Sequence, residues 1–295
     1  MKSRRTIAVV NEGAVGDGMA TINHAGGSGV SALDRGRFGT LLLSRRDQIL
    51  VLIALIAIWQ GLSVALGTYW VGTPWGTAVR LFNGVMSGEI LRHASYTISE
   101  AMIGFVIGGI PAAVLPFLLR RFPIATAIVD PFMVGGYGSP KLALAPLFIL
   151  WFGIGIESKV ALVAFTVFFI VYFSTLSGIR ALDTKLVQMA QVAGASESNV
   201  ARHIIFPGAV PYIFTGFRIA MPYSIGGAVV AELISANRGI GYLIQLRSMN
   251  FDTTGVFVAL AAVCVIVFIT NWFVNMLERR LLKWRPPSDV TAQKE

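Results

Sequence analysis

Cysteine is nearly absent from this sequence: Cys264 is the only one in 295 residues. That excludes a disulfide scaffold and any Cys-based zinc or iron–sulfur site. Histidine is as sparse, and His24, His93 and His203 are scattered along the chain, so no cluster offers a metal site or a catalytic triad. Charged residues make up 13% of the chain, against about 25% in a soluble domain. That is too few to cover a soluble globule of this length. A Gly-x-x-x-x-Gly-Lys-Ser/Thr loop for nucleotide phosphates is missing, so the chain carries no P-loop ATPase. The glycines follow no period of three, which excludes a collagen-like repeat. No catalytic residue, metal or cofactor is expected.

Long apolar runs take the place of charge. The chain is 55% hydrophobic, with a mean hydropathy of +0.70. Spanning the hydrocarbon core takes about 20 apolar residues in a helix. Six runs meet or approach that length: Ile49–Leu66, Ile98–Leu119, about Ala127–Phe152, Val160–Ile179, about Tyr212–Ile234 and Val256–Met276. The third is interrupted by Gly135-Gly136-Tyr137-Gly138-Ser139-Pro140. Backbone polar groups must be satisfied within the bilayer, and the runs are continuous rather than alternating, so helices are predicted and not a membrane barrel.

The net charge of +9 would point to nucleic acid in a soluble protein, but here its distribution sets orientation. Seventeen Lys and Arg fall in the N-terminal segment, the turn at Arg120-Arg121, the loop after the fourth run and the C-terminal end; five fall on the opposite side. The positive-inside rule then predicts six helices with both termini cytoplasmic. Tyr69, Trp70, Trp75 and Trp151 suit an aromatic belt at the outer interface against membrane lipid. Residues 1–44, rich in Gly and polar side chains, read as a disordered cytoplasmic tail without a signal-peptide core. Residues 45–285 read as the membrane domain and 286–295 as a second cytoplasmic tail.

The loop at 180–211 is too long for a bare connection. Leu186, Met189, Ala190 and Ala193 recur at helical spacing, Gly194 suits a left-handed cap, and Ser196 suits the N-cap of a second short helix with Val200, Ile204 and Ile205 on its apolar face. Pro207 and Pro211 are expected to stop that helix and redirect the chain. Two readings follow from physics alone: a surface hairpin packed on its own bundle, or a docking site for a partner.

The segment Gln188-Met189-Ala190-Gln191-Val192-Ala193-Gly194, nine residues, then Ile204-Ile205-Phe206-Pro207, resembles the EAA loop of ABC importer permeases. That pattern is Glu-Ala-Ala, three residues, Gly, nine residues, Ile-x-Leu-Pro. Gln188 replaces the Glu, Met189 the first Ala and Phe206 the Leu. Five further stretches resemble the nitrate/sulfonate/taurine-type subgroup: Ala143–Gly155, Pro211–Ala220, Val230-Ala231-Glu232, Gly239–Ile244 and Leu277–Arg285. The match covers roughly residues 50–285.

The resemblance implies a type I ABC importer permease fold in a bacterial inner membrane. It implies a pair of permeases (two copies of the chain), a dimer of separate ATP-binding subunits, and an extracytoplasmic solute-binding protein. The solute would be a small polar or anionic one, of the nitrate, sulfonate, taurine or thiamine-precursor type. Leu186, Gln188, Met189, Ala190, Gly194, Ala195, Ile204 and Pro207 would form the coupling contact with the ATPase.

Other residues keep two readings each. Tyr137 and Ser139 at the broken third run line a path, or the break is a structural kink. Glu232 faces a path or gate, or pairs with Arg238 or another helix. Arg218 is read as snorkelling to the interface, Glu100 as interfacial, and Asp130 as a turn or cap residue. Cys264 is read as a small packing residue, and Gly104, Gly108 and Gly109 as sites of close helix contact. The competing function is an ion- or proton-coupled carrier. It would need an inverted repeat or several embedded carboxylates, and only Glu100 and Glu232 are available.

Overall fold

A computed structural model describes residues 45–282. The 1–44 and 286–295 tails inferred from composition lie outside them. The chain divides into two compact units after Ile53. Of the first, residues 45–53 are described, the opening half of helix α1 (Arg45–Leu66). The second holds the remainder.

Every regular element among the described residues is helical. After α1 come α2 (Pro74–Met86), α3 (Glu89–Leu119), α4 (Pro123–Gly138), a 3-10 turn (Lys141–Leu144), α5 (Ala145–Phe152) and α6 (Ile156–Arg180). Then follow α7 (Thr184–Val192), α8 (Glu197–Val200), a π turn (Ala201–Ile205), α9 (Phe206–Ile234), α10 (Ile240–Met249) and α11 (Thr253–Leu281). Five stretches are long and apolar enough to cross a membrane: Asp47–Leu66, Glu89–Leu119, Ile156–Arg180, Glu197–Ile234 and Thr253–Leu281. The pair α4 and Lys141–Phe152 makes a sixth if it is counted as one span, but its halves meet at 89°.

The sequence accounts for that bend. Ser139 precedes Pro140, and the proline ring disfavours helical backbone at the residue before it. Ser139 is accordingly extended, with φ −65° and ψ 146°.

Helix α6 is the centre of the core, with α3 on one side and α9 on the other. Ala101, Phe105 and Ala112 of α3, Val163, Val167 and Val171 of α6, and Ala220, Met221 and Ile225 of α9 are buried together. In lipid no hydrophobic driving force separates helix from surroundings, so close van der Waals packing decides association. The α3–α6 seam shows it. A methyl group at Gly108 would collide with the Ala164 carbonyl, and one at Gly104 with the Val163 side chain. Outward, large apolar side chains such as Leu150, Ile124, Phe132 and Phe268 are exposed. A surface so apolar suits lipid rather than water.

Three details differ from the sequence reading. Helix α3 begins at Glu89, well before the apolar run at Ile98, because its first turns pack Ile90, His93 and Ala94 into the bundle. Helices α2 and α10 lie outside the apolar runs; both are too short to span. Neither Pro207 nor Pro211 stops the second loop helix, and Pro211 lies inside α9. The chain runs helically from Glu197 to Ile234. The π turn at Ala201–Ile205 shifts the hydrogen-bond register just where Pro207 brings no N–H and would crowd an ordinary helical carbonyl.

Candidate functional site

Three places concentrate the residues singled out by sequence. The first is the α7–α8 hairpin. Asp183 caps α7, its carboxylate accepting the Lys185 N–H at 2.8 Å. At the other end Gly194 has φ +86°. Its N–H donates to the Gln191 carbonyl, and the Ala195 N–H to the Ala190 carbonyl, both at 2.9 Å. That pair of bonds is a Schellman cap. Ser196 then accepts the Asn199 N–H at 3.3 Å to start α8.

The two short helices differ in what they do with their apolar faces. Val200 and Ile205 are buried against the protein's own helices, with Ile204 half-buried. On α7, Leu186, Met189 and Val192 are exposed, Val192 at 91%. Leu186, Met189 and Val192 recur every three residues and so form one open stripe. Gln188 and Gly194 are also exposed, and Ala190, Ala195 and Pro207 are half-buried. Val192 is absent from the contact that the family resemblance implies, although its spacing from Met189 announces it. Arg120 at the end of α3 holds the hairpin through Glu197, 3.1 Å away.

The second place is the elbow between α4 and α5. A cavity of about 770 Å³ lies there, lined by Tyr137, Ser139, Pro140, Lys141, Leu142 and Ala143, with Thr166 and Ile170 of α6 and Ile219, Pro222, Tyr223, Gly226, Gly227 and Val230 of α9. Tyr137 and Ser139 therefore share one cavity; Glu232 is not among its lining residues. Ser139 donates to the Gly136 carbonyl at 2.8 Å, which holds the broken turn. Lys141 reaches back so that Nζ donates to the Tyr137 carbonyl. Its ammonium lies 4.9 Å from the Tyr137 ring centroid and 5.8 Å from that of Phe169.

The third place is a buried polar node joining α3, α9 and α10. Glu232 is fully buried. Its Oε1 accepts the Thr97 hydroxyl at 2.8 Å, and its Oε2 accepts the Gly241 N–H at 2.7 Å. The Thr97 oxygen accepts the Ile240 N–H at 2.9 Å, and His93 Nδ1 accepts the Gly239 N–H at 3.1 Å. These bonds satisfy the first N–H groups of α10, which as helix-start donors have no partner within their own helix. Arg238, considered as a partner for Glu232, instead donates to the Tyr96 hydroxyl at 3.2 Å. Glu100, one turn along α3 from Thr97, is buried rather than interfacial and pairs with buried Lys159 at 3.4 Å. Removing two charges from water together in this way is tolerable where each would be prohibitive alone.

Further ion pairs join separate elements. Arg218 lies 3.6 Å from Glu278 of α11. Asp130 sits inside α4 rather than in a turn, 3.9 Å from Arg180. Arg80 of α2 binds Asp252 through both nitrogens, at 2.6 and 2.8 Å. Asp252 also accepts the Gly255 N–H at 3.0 Å, capping α11. The Arg80 guanidinium holds the Asp252 carboxyl below the usual carboxylate range, and Arg80 is raised in turn. Cys264 is exposed rather than packed. Among the described residues no group of His, Cys, Asp and Glu is placed to hold a metal ion.

Comparison with known proteins agrees with this architecture. Residues 104–283 match the family described as binding-protein-dependent transport system inner membrane component. The chain is 35% identical to the aliphatic sulfonates transport permease protein SsuC of Bacillus subtilis (strain 168), over 80% of this chain and 87% of that one. It is 33% identical to the taurine transport system permease protein TauC of Escherichia coli (strain K12), over 68% of this chain and 73% of that one. Among solved structures it resembles a chain of a bacterial ABC transporter involved in the import of the acidic polysaccharide alginate, with a TM-score of 0.55 and 16% identity, covering 80% of this chain and 96% of that one. At that identity the likeness concerns the fold alone.

Proposed function

The chain belongs to the binding-protein-dependent transport system inner membrane components, ABC importer permeases that lie as multi-pass proteins in the bacterial inner membrane, and we propose that it forms the translocation path for a small polar or anionic solute and receives its motion from a separate ATP-binding subunit. The observation that carries this reading is the exposed stripe Leu186–Met189–Val192 on a hairpin whose geometry is fixed at both ends by caps. An amphipathic helix with an open apolar face fits a groove on a partner. Gln188, Ala190, Gly194, Ala195, Ile204 and Pro207 shape and support that contact. Because α8 runs through the π turn into α9, a push on the hairpin is carried by one stiff element toward the cavity at Tyr137 and Ser139.

In this reading both termini are cytoplasmic, and two copies of the chain pair above an ATPase dimer. A solute-binding protein delivers cargo from the other side. Relatives named for aliphatic sulfonates and taurine support a small sulfonate-like solute. Glu232 acts here by bracing α9 against α3 and α10 at the edge of the path.

The test is reconstitution of the chain with the ATP-binding subunit encoded beside it. The two should co-purify, and Met189→Asp or Val192→Asp should abolish co-purification while leaving the permease in the membrane. Uptake should require ATP. Uptake driven by a proton gradient without ATP would establish the secondary-carrier alternative instead.

A further inference from the structure

We propose that Lys141 is the charge-selecting residue of the elbow cavity, and that the cavity favours solutes with a sulfonate or similar anionic head group. The proposal rests on reading that cavity as the translocation path.

Lys141 is the only charged side chain among the lining residues, and no carboxylate lines the cavity. Other cations in the membrane helices do have a carboxylate: Lys159 has Glu100, Arg218 has Glu278. Among the described residues Lys141 has none. Its ammonium is held by one neutral carbonyl and by the faces of two aromatic rings. Such contacts orient a cation without neutralising it. An uncompensated positive charge at membrane depth is costly, and an anion entering the cavity would supply the missing partner.

Position and chemistry agree. The extended Ser139 and the proline behind it end α4, so that Lys141 begins the next turn at the rim of the space. Tyr137 and Tyr223 add hydroxyl groups, whereas those of Ser139 and Thr166 are donated to the Gly136 and Leu162 carbonyls, and the remaining lining is apolar. A single cation, two hydroxyls and an apolar wall suit a small solute with an anionic end and a short hydrocarbon body. Low local dielectric strengthens the attraction relative to bulk water.

A charge-selective modification experiment tests this and does not require the solute to be identified. Ser139→Cys is placed in a Cys264→Ala background, and the full chain is purified with its ATPase in detergent so that both ends are open to reagent. The probes are the anionic sulfonatoethyl and the cationic trimethylammonioethyl methanethiosulfonates. Each rate is normalised to that of free cysteine. The anionic reagent should react faster at the introduced thiol, and Lys141→Gln should lower the anion-to-cation rate ratio by about tenfold. Lys141→Arg should keep the ratio high. Because a ratio is read on assembled protein, a reduced yield of folded variant does not alter it. Reaction with both reagents at a ratio indifferent to Lys141→Gln would overturn the anion assignment while leaving a water-accessible path. No reaction with either reagent would overturn the path reading and this assignment with it.

Discussion

Thr97 donates its hydroxyl to Glu232 at 2.8 Å and with the same oxygen accepts the Ile240 N–H at 2.9 Å. One side chain of α3 thus bridges α9 and the start of α10. Thr97→Val would leave an N–H and a carboxylate oxygen short of a partner, a cost of about 1–3 kcal/mol for each buried group. Glu232→Leu should cost at least as much, since it also frees the Gly241 N–H. Both act on one network, so the double variant should lose clearly less than the sum of the two. Thermal unfolding of the four proteins in detergent measures this; strict additivity would show that the two residues are independent.

Gly194 provides a separate test of the hairpin. Its φ of +86° puts it where an L side chain costs about 1–2 kcal/mol, while the space around a Cβ there is open. Gly194→Ala should therefore loosen the Schellman cap and lower ATP-driven uptake in part. Gly194→Asp should abolish uptake while the protein still reaches the membrane. Normal uptake by Gly194→Asp, measured in vesicles containing the ATPase, would sink the coupling reading.

How far the sequence can be read depends on the range of the interactions. Apolar runs and the Ser139–Pro140 step are local, and they announce the long helices and the break. The cap at Gly194 is local too. Short helices that pack against distant ones leave no such mark: α10 looks like an outer loop because ten residues cannot span a membrane. Glu232 is recognisable as an expensive buried carboxylate, but its partners lie 135 residues earlier in the chain and nine residues later. Pro207 misleads because a proline ordinarily ends a helix, and the π turn that absorbs it depends on register rather than composition. Lys141 draws no notice because, directly after the break in the third run, it reads as a charge near a helix end. Its isolation from carboxylates is a property of three-dimensional packing.

Acid should report on Asp252. Its carboxyl titrates below the usual range because the ionised form binds Arg80 and caps α11. A depressed carboxylate contributes stability that is complete above its unfolded value of about 3.9 and disappears as pH falls through the lower folded value. Asp252→Asn should therefore lower the melting temperature at neutral pH and narrow the gap to the parent below about pH 4. The pair is partly exposed, with side-chain exposures of 43% for Arg80 and 24% for Asp252, so the effect should also shrink in high salt. Melting curves at several pH values and two salt concentrations decide it.

Gly226 separates the path from the scaffold. It lines the elbow cavity, and a Cβ added there meets nothing within 4 Å. Replacing a mid-helix glycine also removes backbone entropy from the unfolded chain, a gain of up to about 1 kcal/mol where the backbone is already helical. Gly226→Leu should consequently leave folding and ATPase co-purification intact while its side chain occupies the space a solute needs. Uptake should fall several-fold, and Gly226→Ala should fall between Leu and the parent. At Gly108, by contrast, even Ala meets the Ala164 carbonyl across the α3–α6 seam, so Gly108→Ala should reduce stability and uptake together. If Gly226→Leu transports like the parent, the cavity at Tyr137 and Ser139 is not on the solute's route.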